Sequence, residues 1–314
     1  MKQKKLEIPE ILHGKRADIA ISELLGNELS RNQVKDLIKS GDILINDEQC
    51  KPKDKVCHND QVIVSIPDAE VSSWAAEDID LDIVFTCDDY AIINKPAGLV
   101  MHPGAGVKSG TLANAVATIY PEVLSLPRNG IVHRLDKDTS GLVVIARKNG
   151  FRNHIAEQFQ KRKVEKKYLA VIKGEILGTL TVDKPIARDR QNRTKMKVDE
   201  SGREAISEAI SLESFCGYSL VEVKIETGRT HQIRVHLSSN KTPIIGDKAY
   251  GSGSQLIKNL SEDLKDKILS FPRQALHAYQ LAFLDASNDI QTYKSNPPDD
   301  ILGLIESLKS NENS

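Results

Sequence analysis

Three clusters of polar residues carry side chains able to do chemistry. The densest is His133-Arg134-Leu135-Asp136-Lys137-Asp138-Thr139-Ser140-Gly141, and an apolar stretch follows it directly. Polar groups on a loop held by a rigid strand are where reactive residues concentrate. Two chemistries fit these residue types. Asp136 can act as a carboxylate nucleophile beside an arginine, or His133, Asp136 and Asp138 can be hard-metal ligands. A solvated turn in which Asp138 or Thr139 bonds the backbone accounts for the same residues with no chemistry at all. The second cluster is Thr227-Gly228-Arg229-Thr230-His231-Gln232-Ile233-Arg234-Val235-His236-Leu237. Gly228 permits a tight turn, and Thr230 is placed to cap a short helix. On that helix Ile233 and Leu237 share a face with Arg234 beside them, and Arg229 at the helix N-terminus suits a phosphate. His231 and His236 lack metal-ligand spacing and read as structural. The third cluster, Lys161-Arg162-Lys163-Val164-Glu165-Lys166-Lys167-Tyr168, joins a basic run to an aromatic residue. That pairing suits phosphate contact with base stacking, although a solvated charged face is the plain alternative.

The elements that must position these residues are legible in outline. A helix is expected over about Arg16 to Leu25, with Ile21, Leu24 and Leu25 on one face. Ser30-Arg31-Asn32-Gln33 fits a capping box, Val34, Leu37 and Ile38 have helical spacing, and Gly41 is a stop signal. Ile43-Leu44-Ile45 runs into an Asn46-Asp47 turn, and Val62, Val64 and Ile66 alternate as in a half-buried strand. Residues 1–68 therefore read as a small α+β unit. Residues 69–80 show little periodicity and read as a linker, with Trp74 free to dock on either side. From 81 to 309 strands dominate. Leu81–Cys87 and Ala91–Asn94 flank a turn at Asp88-Asp89-Tyr90, Leu142–Ile145 is an apolar strand, and Tyr168–Ile172 and Tyr218–Ile225 are further strands. Phe151, Ile155 and Phe159 mark a helix over Phe151–Gln160, and 310–314 reads as a frayed polar tail.

Composition narrows the function classes. The chain has 314 residues, 39% hydrophobic and 28% charged, which is ordinary for a globular protein. No apolar run reaches the roughly 20 residues that span a bilayer, and no apolar segment follows the charged N-terminus, so neither a membrane anchor nor a secretory signal is expected. The cysteines at 50, 57, 87 and 216 form no CxxC pair; they read as buried free thiols of a reducing cytosol. The net charge of −1, from 43 basic and 44 acidic residues, excludes a protein that coats nucleic acid by bulk charge. A local basic cleft remains compatible with it. Sequence signatures for dinucleotide, P-loop, serine-hydrolase and zinc-protease sites are absent.

Together these segments resemble the RluA family of pseudouridine synthases, and within it the RluD-like branch. The resemblance runs through Ile93-Asn94-Lys95-Pro96-Ala97-Gly98-Leu99-Val100, His102-Pro103-Gly104-Ala105-Gly106, Gly110-Thr111-Leu112 and the stretch from Gly130 to Leu142. It continues through Lys166-Lys167-Tyr168-Leu169-Ala170, Thr227 to Arg234, Gly246-Asp247-Lys248-Ala249-Tyr250-Gly251 and Leu276-His277-Ala278, in the family's order. The first unit resembles an S4 RNA-binding domain through Arg16-Ala17-Asp18, Leu29 to Lys35 and Gly41 to Asn46, although Asn46-Asp47 replaces the usual Asn-Gly.

The resemblance implies an α+β protein, an S4 domain followed by a catalytic domain with a mixed, mainly antiparallel sheet and peripheral helices. It implies Asp136 as the nucleophilic aspartate, Tyr168 as the active-site tyrosine that packs on the target base, and Arg234 as the partner of the aspartate. Arg134 matches the residue that fills the gap left by a flipped base. His133, Arg229, Lys166 and Arg31 become substrate-binding candidates, and Leu237 a wall of the uracil pocket. Uridine isomerisation breaks N1–C1′ and remakes the bond at C5, so a paired base must first be extruded, at a few kcal/mol. No step needs redox or phosphoryl transfer, so neither cofactor nor metal is expected. The implied partner is RNA, 23S rRNA or a pre-ribosomal large subunit ahead of tRNA, acted on by a cytoplasmic monomer. Two other classes compete: a metal-dependent hydrolase using His133, Asp136 and Asp138, and a non-catalytic RNA-binding assembly factor.

Overall fold

The computed structural model describes residues 2–29, 31–66, 74–104, 106–215, 217–251 and 260–312. The expected cap at Ser30, the first part of the linker, Ala105 and Cys216 lie outside the described residues.

In the N-terminal unit, β1 (Lys2–Glu7), β2 (Ile43–Ile45), β3 (Glu48–Gln49) and β4 (Gln61–Ile66) form an antiparallel sheet in the order β1-β4-β2-β3. Two helices, α1 (Ala17–Leu25) and α2 (Arg31–Ser40), pack beside it. The alternation at 62 and 64 buries Val62 and Val64 fully. With Ile21, Leu25, Val34, Ile38 and Ile43 they make a core private to this unit. Asn46 and Asp47 both take positive φ, 51° and 65°, as a two-residue hairpin between β2 and β3 requires. Asp in place of Gly is tolerated there because its short polar side chain enters the left-handed region more readily than most.

The second unit is a nine-stranded mixed sheet. Its strands are β5 (Asp82–Thr86), β6 (Tyr90–Lys95), β7 (Ser140–Ala146), β8 (Glu165–Lys173), β9 (Thr179–Asp183), β12 (Ile206–Phe215), β13 (Tyr218–Ile225), β14 (Leu276–Leu284) and β15 (Ile290–Lys294). The order is β5-β6-β7-β14-β8-β13-β12-β9, with β15 also on β14. The β14–β7 pair is parallel and the other pairs are antiparallel. A hairpin of β10 (Ile186–Arg188) and β11 (Met196–Val198) stands apart from this sheet. The helices are α3 (Leu112–Ile119), α4 (Asn149–Gln160), α5 (Gln232–Ser239), α6 (Glu262–Leu269) and α7 (Asp299–Glu312).

The continuous apolar run of β7 follows from burial on both faces. Val143 and Ile145 enter the main core, whereas Leu142, Val144 and Ala146 enter a second cluster with Phe151 and Ile155 of α4. Each Val, Leu, Ile and Phe among them contributes about 1.5–3 kcal/mol relative to exposure. The strand is thus a rigid base for the loop that precedes it.

Several expectations need correction. Trp74 docks on the second unit, packing on its core and stacking on His102 with ring centroids 5.9 Å apart. Asn114 Nδ2 donates to the Ala75 carbonyl and Gly110 N to the Glu77 carboxylate, so the segment after 74 is bound down. Ser310 to Glu312 continue α7, where Asn311 accepts from the Ser261 amide, so they are not frayed. Cys57 is exposed, and Cys50 and Cys87 are half-buried rather than buried. No helix among the described residues is long and apolar enough to cross a membrane.

Candidate active site

The loop before β7 is tied at nearly every step. The fully buried Lys95 donates through Nζ to the carbonyls of Pro96 (2.8 Å), Leu99 (2.9 Å) and Lys137 (3.0 Å). Gly98 N donates to the same Lys137 carbonyl, Arg273 Nη1 to the Asp138 carbonyl at 3.2 Å, and Gln274 Nε2 to Thr139 Oγ1 at 3.0 Å. Burial pushes the Lys95 ammonium down to about 8, with Asp138 and Asp136 opposing. These bonds leave the Asp136 side chain directed at α5.

The turn before α5 is organised by Gln232. Its Oε1 accepts from Thr227 Oγ1 (2.7 Å) and Arg229 N (3.0 Å), while Nε2 donates to the Ile206 carbonyl (2.9 Å) and Ser207 Oγ (3.0 Å). The N-cap is His231, in the left-handed region at φ 56° and ψ 19°, and not Thr230. His236 is buried and bonded to Ser207 Oγ and the Lys184 carbonyl, a structural residue as read from sequence. His231 departs from that reading: it lies in the pocket, its Nε2 3.9 Å from Asp136 Oδ2.

Arg234, in the first turn of α5, connects two carboxylates. Nη1 donates to Asp136 Oδ2 at 3.1 Å, while Nε and Nη2 hold Asp247 Oδ2 and Oδ1 at 2.7 and 2.9 Å. Asp247 is buried, and its Oδ1 also accepts from the amides of Ala249 and Tyr250. Burial works against the guanidinium charge, but Asp247 and then Asp136 outweigh it, and Arg234 stays protonated. Its plane lies over the Tyr250 ring, 5.1 Å from the centroid.

Asp136, Arg234 and Tyr168 line one small cavity of about 60 Å³, with Leu135, Ile225, Ile233 and Leu276 as apolar wall. Burial, followed by the charge of Asp136, pushes the Tyr168 phenol well above its usual range. It therefore presents a neutral ring and hydroxyl and is no base at neutral pH. Leu237 takes no part in this wall. It is buried in the core, and Ile233, one turn earlier on the same face, lines the cavity instead. The reason is position along the helix: Ile233, likewise buried, stands beside the Gly228–Gln232 segment that borders the pocket, one turn from Leu237.

Arg134, Tyr168, Ile225, Gly228 and Arg229 also border a larger cleft of about 630 Å³. Arg128, Arg162, Lys166 and Phe159 continue its lining. Arg134 is exposed at the junction. Arg229 Nε donates to the Glu204 carbonyl. Lys166 lies over the Phe159 ring at 5.8 Å, and burial, with Arg229 adding, pushes it down to about 8. Much of the basic run is spent on ion pairs, Lys161 with Glu157, Arg162 with Glu204 and Lys167 with Glu222. His133 lines the cleft as a neutral ring: it accepts from Val144 N at 3.0 Å, stacks on Phe159, and burial pushes it down to about 3. That bond removes it from any convergence with Asp136 and Asp138, and the metal-ligand reading falls with it. Among the described residues no group of three or more His, Cys, Asp or Glu side chains is placed to share a metal ion. Arg31 lies in the N-terminal unit, bonded to the buried Asp18.

Residues 89–239 match the RNA pseudouridylate synthase family and residues 16–62 the S4 domain. The chain is 40% identical over 303 residues to the ribosomal large subunit pseudouridine synthase D of Xanthomonas campestris pv. campestris, covering 96% of this chain and 91% of that protein. The protein of the same name from Escherichia coli (strain K12) is 39% identical over 299 residues, 95% of this chain and 91% of its own. The solved structure of human RNA pseudouridylate synthase domain containing 4 is similar with a TM-score of 0.58 at 26% identity, over 73% of this chain and 93% of that one. The chain belongs to the RNA pseudouridylate synthase family, and it is an RNA pseudouridine synthase whose catalytic unit follows an S4 domain.

Proposed function

We propose that this synthase isomerises uridines of large-subunit ribosomal RNA, with Asp136 as the reacting carboxylate. The observation that carries the assignment of Asp136 is its placement. It is the carboxylate that lines the pocket, it is held through one oxygen by an arginine that is itself anchored, and it stands beside a buried neutral tyrosine. The choice of RNA rests on near full-length similarity to proteins named for the large subunit.

A paired uridine keeps its N1 and C1′ atoms out of reach, so the base is turned out of its stack into the pocket. Arg134, exposed where pocket meets cleft, is placed to stack in the vacated gap, since a guanidinium plane stacks on bases as an aromatic ring does. Tyr168 and the apolar wall receive the uracil face. Asp136 then meets ribose C1′, uracil C6 or the C2′ proton, and all three routes use the same carboxylate. The cleft cations Arg128, Arg134, Lys166 and Arg229 receive the flanking phosphates, which reconciles RNA binding with a net charge of −1. The isomerisation exchanges one bond to C1′ for another with no net oxidation and no group gained, so the proposed reaction calls for neither metal nor cofactor; the enzyme is proposed to act as a monomer in the cytoplasm.

The test is tritium release from C5-labelled uridine in a 23S rRNA transcript, in EDTA, with wild type and Asp136→Asn compared. Release by wild type and none by the variant, with RNA binding retained, is expected. Release from tRNA alone would overturn the rRNA target. Release by Asp136→Asn would overturn the role of Asp136.

A further inference from the structure

His231 is a polar residue in the pocket that the reaction as described does not use. Its surroundings define both its tautomer and its direction. Nδ1 lies 2.7 Å from Tyr250 Oη. The same phenol oxygen accepts from the backbone amide of Met196, at 2.8 Å, and a backbone amide can only donate. The Tyr250 hydroxyl therefore has its proton available for Nδ1, which places the ring proton on Nε2. The opposite tautomer would leave the phenol proton without an acceptor and turn a lone pair toward a carboxylate.

Nε2 faces Asp136 Oδ2 at 3.9 Å. Arg234 Nη1 donates to that same oxygen at 3.1 Å. Two donors thus converge on Oδ2, while Oδ1 receives no hydrogen bond among the described residues and is left for the substrate. The 3.9 Å separation is long for a hydrogen bond, but contacts of this kind tighten when substrate closes the site. The backbone supplies an independent observation. His231 sits at φ 56° and ψ 19°, a left-handed conformation that few non-glycine residues hold and that His enters less rarely than most. Strain of this kind gathers where a side chain must be aimed.

We propose that His231 is a positioning residue for Asp136, whose Nε2–H, oriented by Tyr250, selects together with Arg234 the carboxylate oxygen that reacts. The inference rests on Asp136 as the reacting group. Tyr250 is in turn bonded to β11 through Met196, and Lys195 of the same hairpin donates to the Ala249 carbonyl at 2.6 Å. The hairpin and His231 are therefore joined by hydrogen bonds through Tyr250, and His231 Nε2 faces Asp136 at 3.9 Å.

Two substitutions separate this role from a structural one. His231→Gln keeps an N–H near the position of Nε2 and loses the acceptor for Tyr250. His231→Asn keeps an acceptor near Nδ1, loses the donor to Asp136 and suits the left-handed backbone better than His. In the tritium-release assay His231→Asn is expected to lower kcat about tenfold or more, the loss of one charge-assisted hydrogen bond, with KM within about threefold. Its melting temperature should match or exceed that of wild type. His231→Gln should keep kcat within about threefold while melting lower. The reverse order, or equal losses in both, would overturn the inference, because the donor that Gln retains would then count for nothing. Wild-type activity in His231→Asn would overturn it too. Asp136→Asn belongs in the same series: activity there would mean that the assignment of Asp136 has failed, separately from that of His231.

Discussion

The two units each bury an ionic cluster, and the clusters are inverses of one another. In the S4 unit one carboxylate, Asp18, is buried and takes two guanidiniums: Arg16 through Nε and Nη2 at 3.0 Å each, and Arg31 through Nε at 3.2 Å and Nη2 at 3.0 Å. In the catalytic unit one guanidinium, Arg234, takes two carboxylates, Asp247 and Asp136. The first cluster has a positive charge in excess, and its arginines are the exposed members, at 38% and 52% against 2% for Asp18. The second has a negative charge in excess, and its pocket-facing member is Asp136. The same residue types thus present exposed guanidiniums in one place and a pocket-facing carboxylate in the other. What differs is which sign bridges: a carboxylate between two guanidiniums in the first, a guanidinium between two carboxylates in the second.

Removal of the most buried carboxylate of each cluster tests this difference. Asp247→Ala should have the largest effect. It leaves Arg234 anchored by Asp136 alone, so kcat is expected to fall about 100-fold with KM nearly unchanged. The buried half-pair should also cost about 3–5 kcal/mol of stability in a denaturant melt. A KM effect without a kcat effect would show that Arg234 binds substrate and does not position Asp136.

Asp18→Ala should do the opposite. Its arginines are freed into solvent, so the loss is smaller, about 2 kcal/mol, and confined to the N-terminal unit. KM for RNA should rise severalfold while kcat at saturating RNA stays within twofold. A kcat loss as large as that of Asp247→Ala would break the comparison. Burial works to raise the Asp18 carboxyl, but Arg16 and Arg31 outweigh it and hold it below its usual range. Its contribution is therefore complete above the unfolded value, about pH 4, and is lost as pH falls through the lower folded value. The N-terminal unit of wild type should lose stability in that acid window, and Asp18→Ala should flatten the dependence.

Lys166 sharpens the comparison as a buried cation with no carboxylate within ion-pair distance among the described residues. Held down at about 8 by burial and then Arg229, it is charged below that pH and neutral above it. Wild-type KM for RNA should rise as pH passes 8, by about threefold, and Lys166→Gln should show a raised KM without that slope. A slope retained in Lys166→Gln would assign it to another group.

The site was legible where a motif put one reactive residue at one place in the chain. Asp136, Tyr168 and Arg234 come from three separate segments and do meet in one cavity. Helical phase was legible as well, since Ile233 and Leu237 share a face. Position along the helix axis was not, and the residue one turn earlier lines the pocket. The cap of α5 was missed because Thr is a common cap and His in the left-handed region is not. Asp247 and Tyr250 stood in a recognisable motif, but nothing along the chain says that Arg234 lies between Asp247 and Asp136. β1 was missed because its charged residues carry no apolar period of their own; it forms by pairing along the edge of β4.

The amino-acid sequence by itself determined the two-unit plan, the family and which carboxylate to propose as the reacting one, because these depend on local periodicity and on short motifs that survive without three dimensions. Tertiary structure alone decided which groups hold that carboxylate, which cations of the basic run are spent on ion pairs, and that His133 is held far below its usual titration range. Those outcomes depend on burial and on distances between residues far apart in the chain, such as the 3.1 Å from Arg234 to Asp136. Only folding sets such distances.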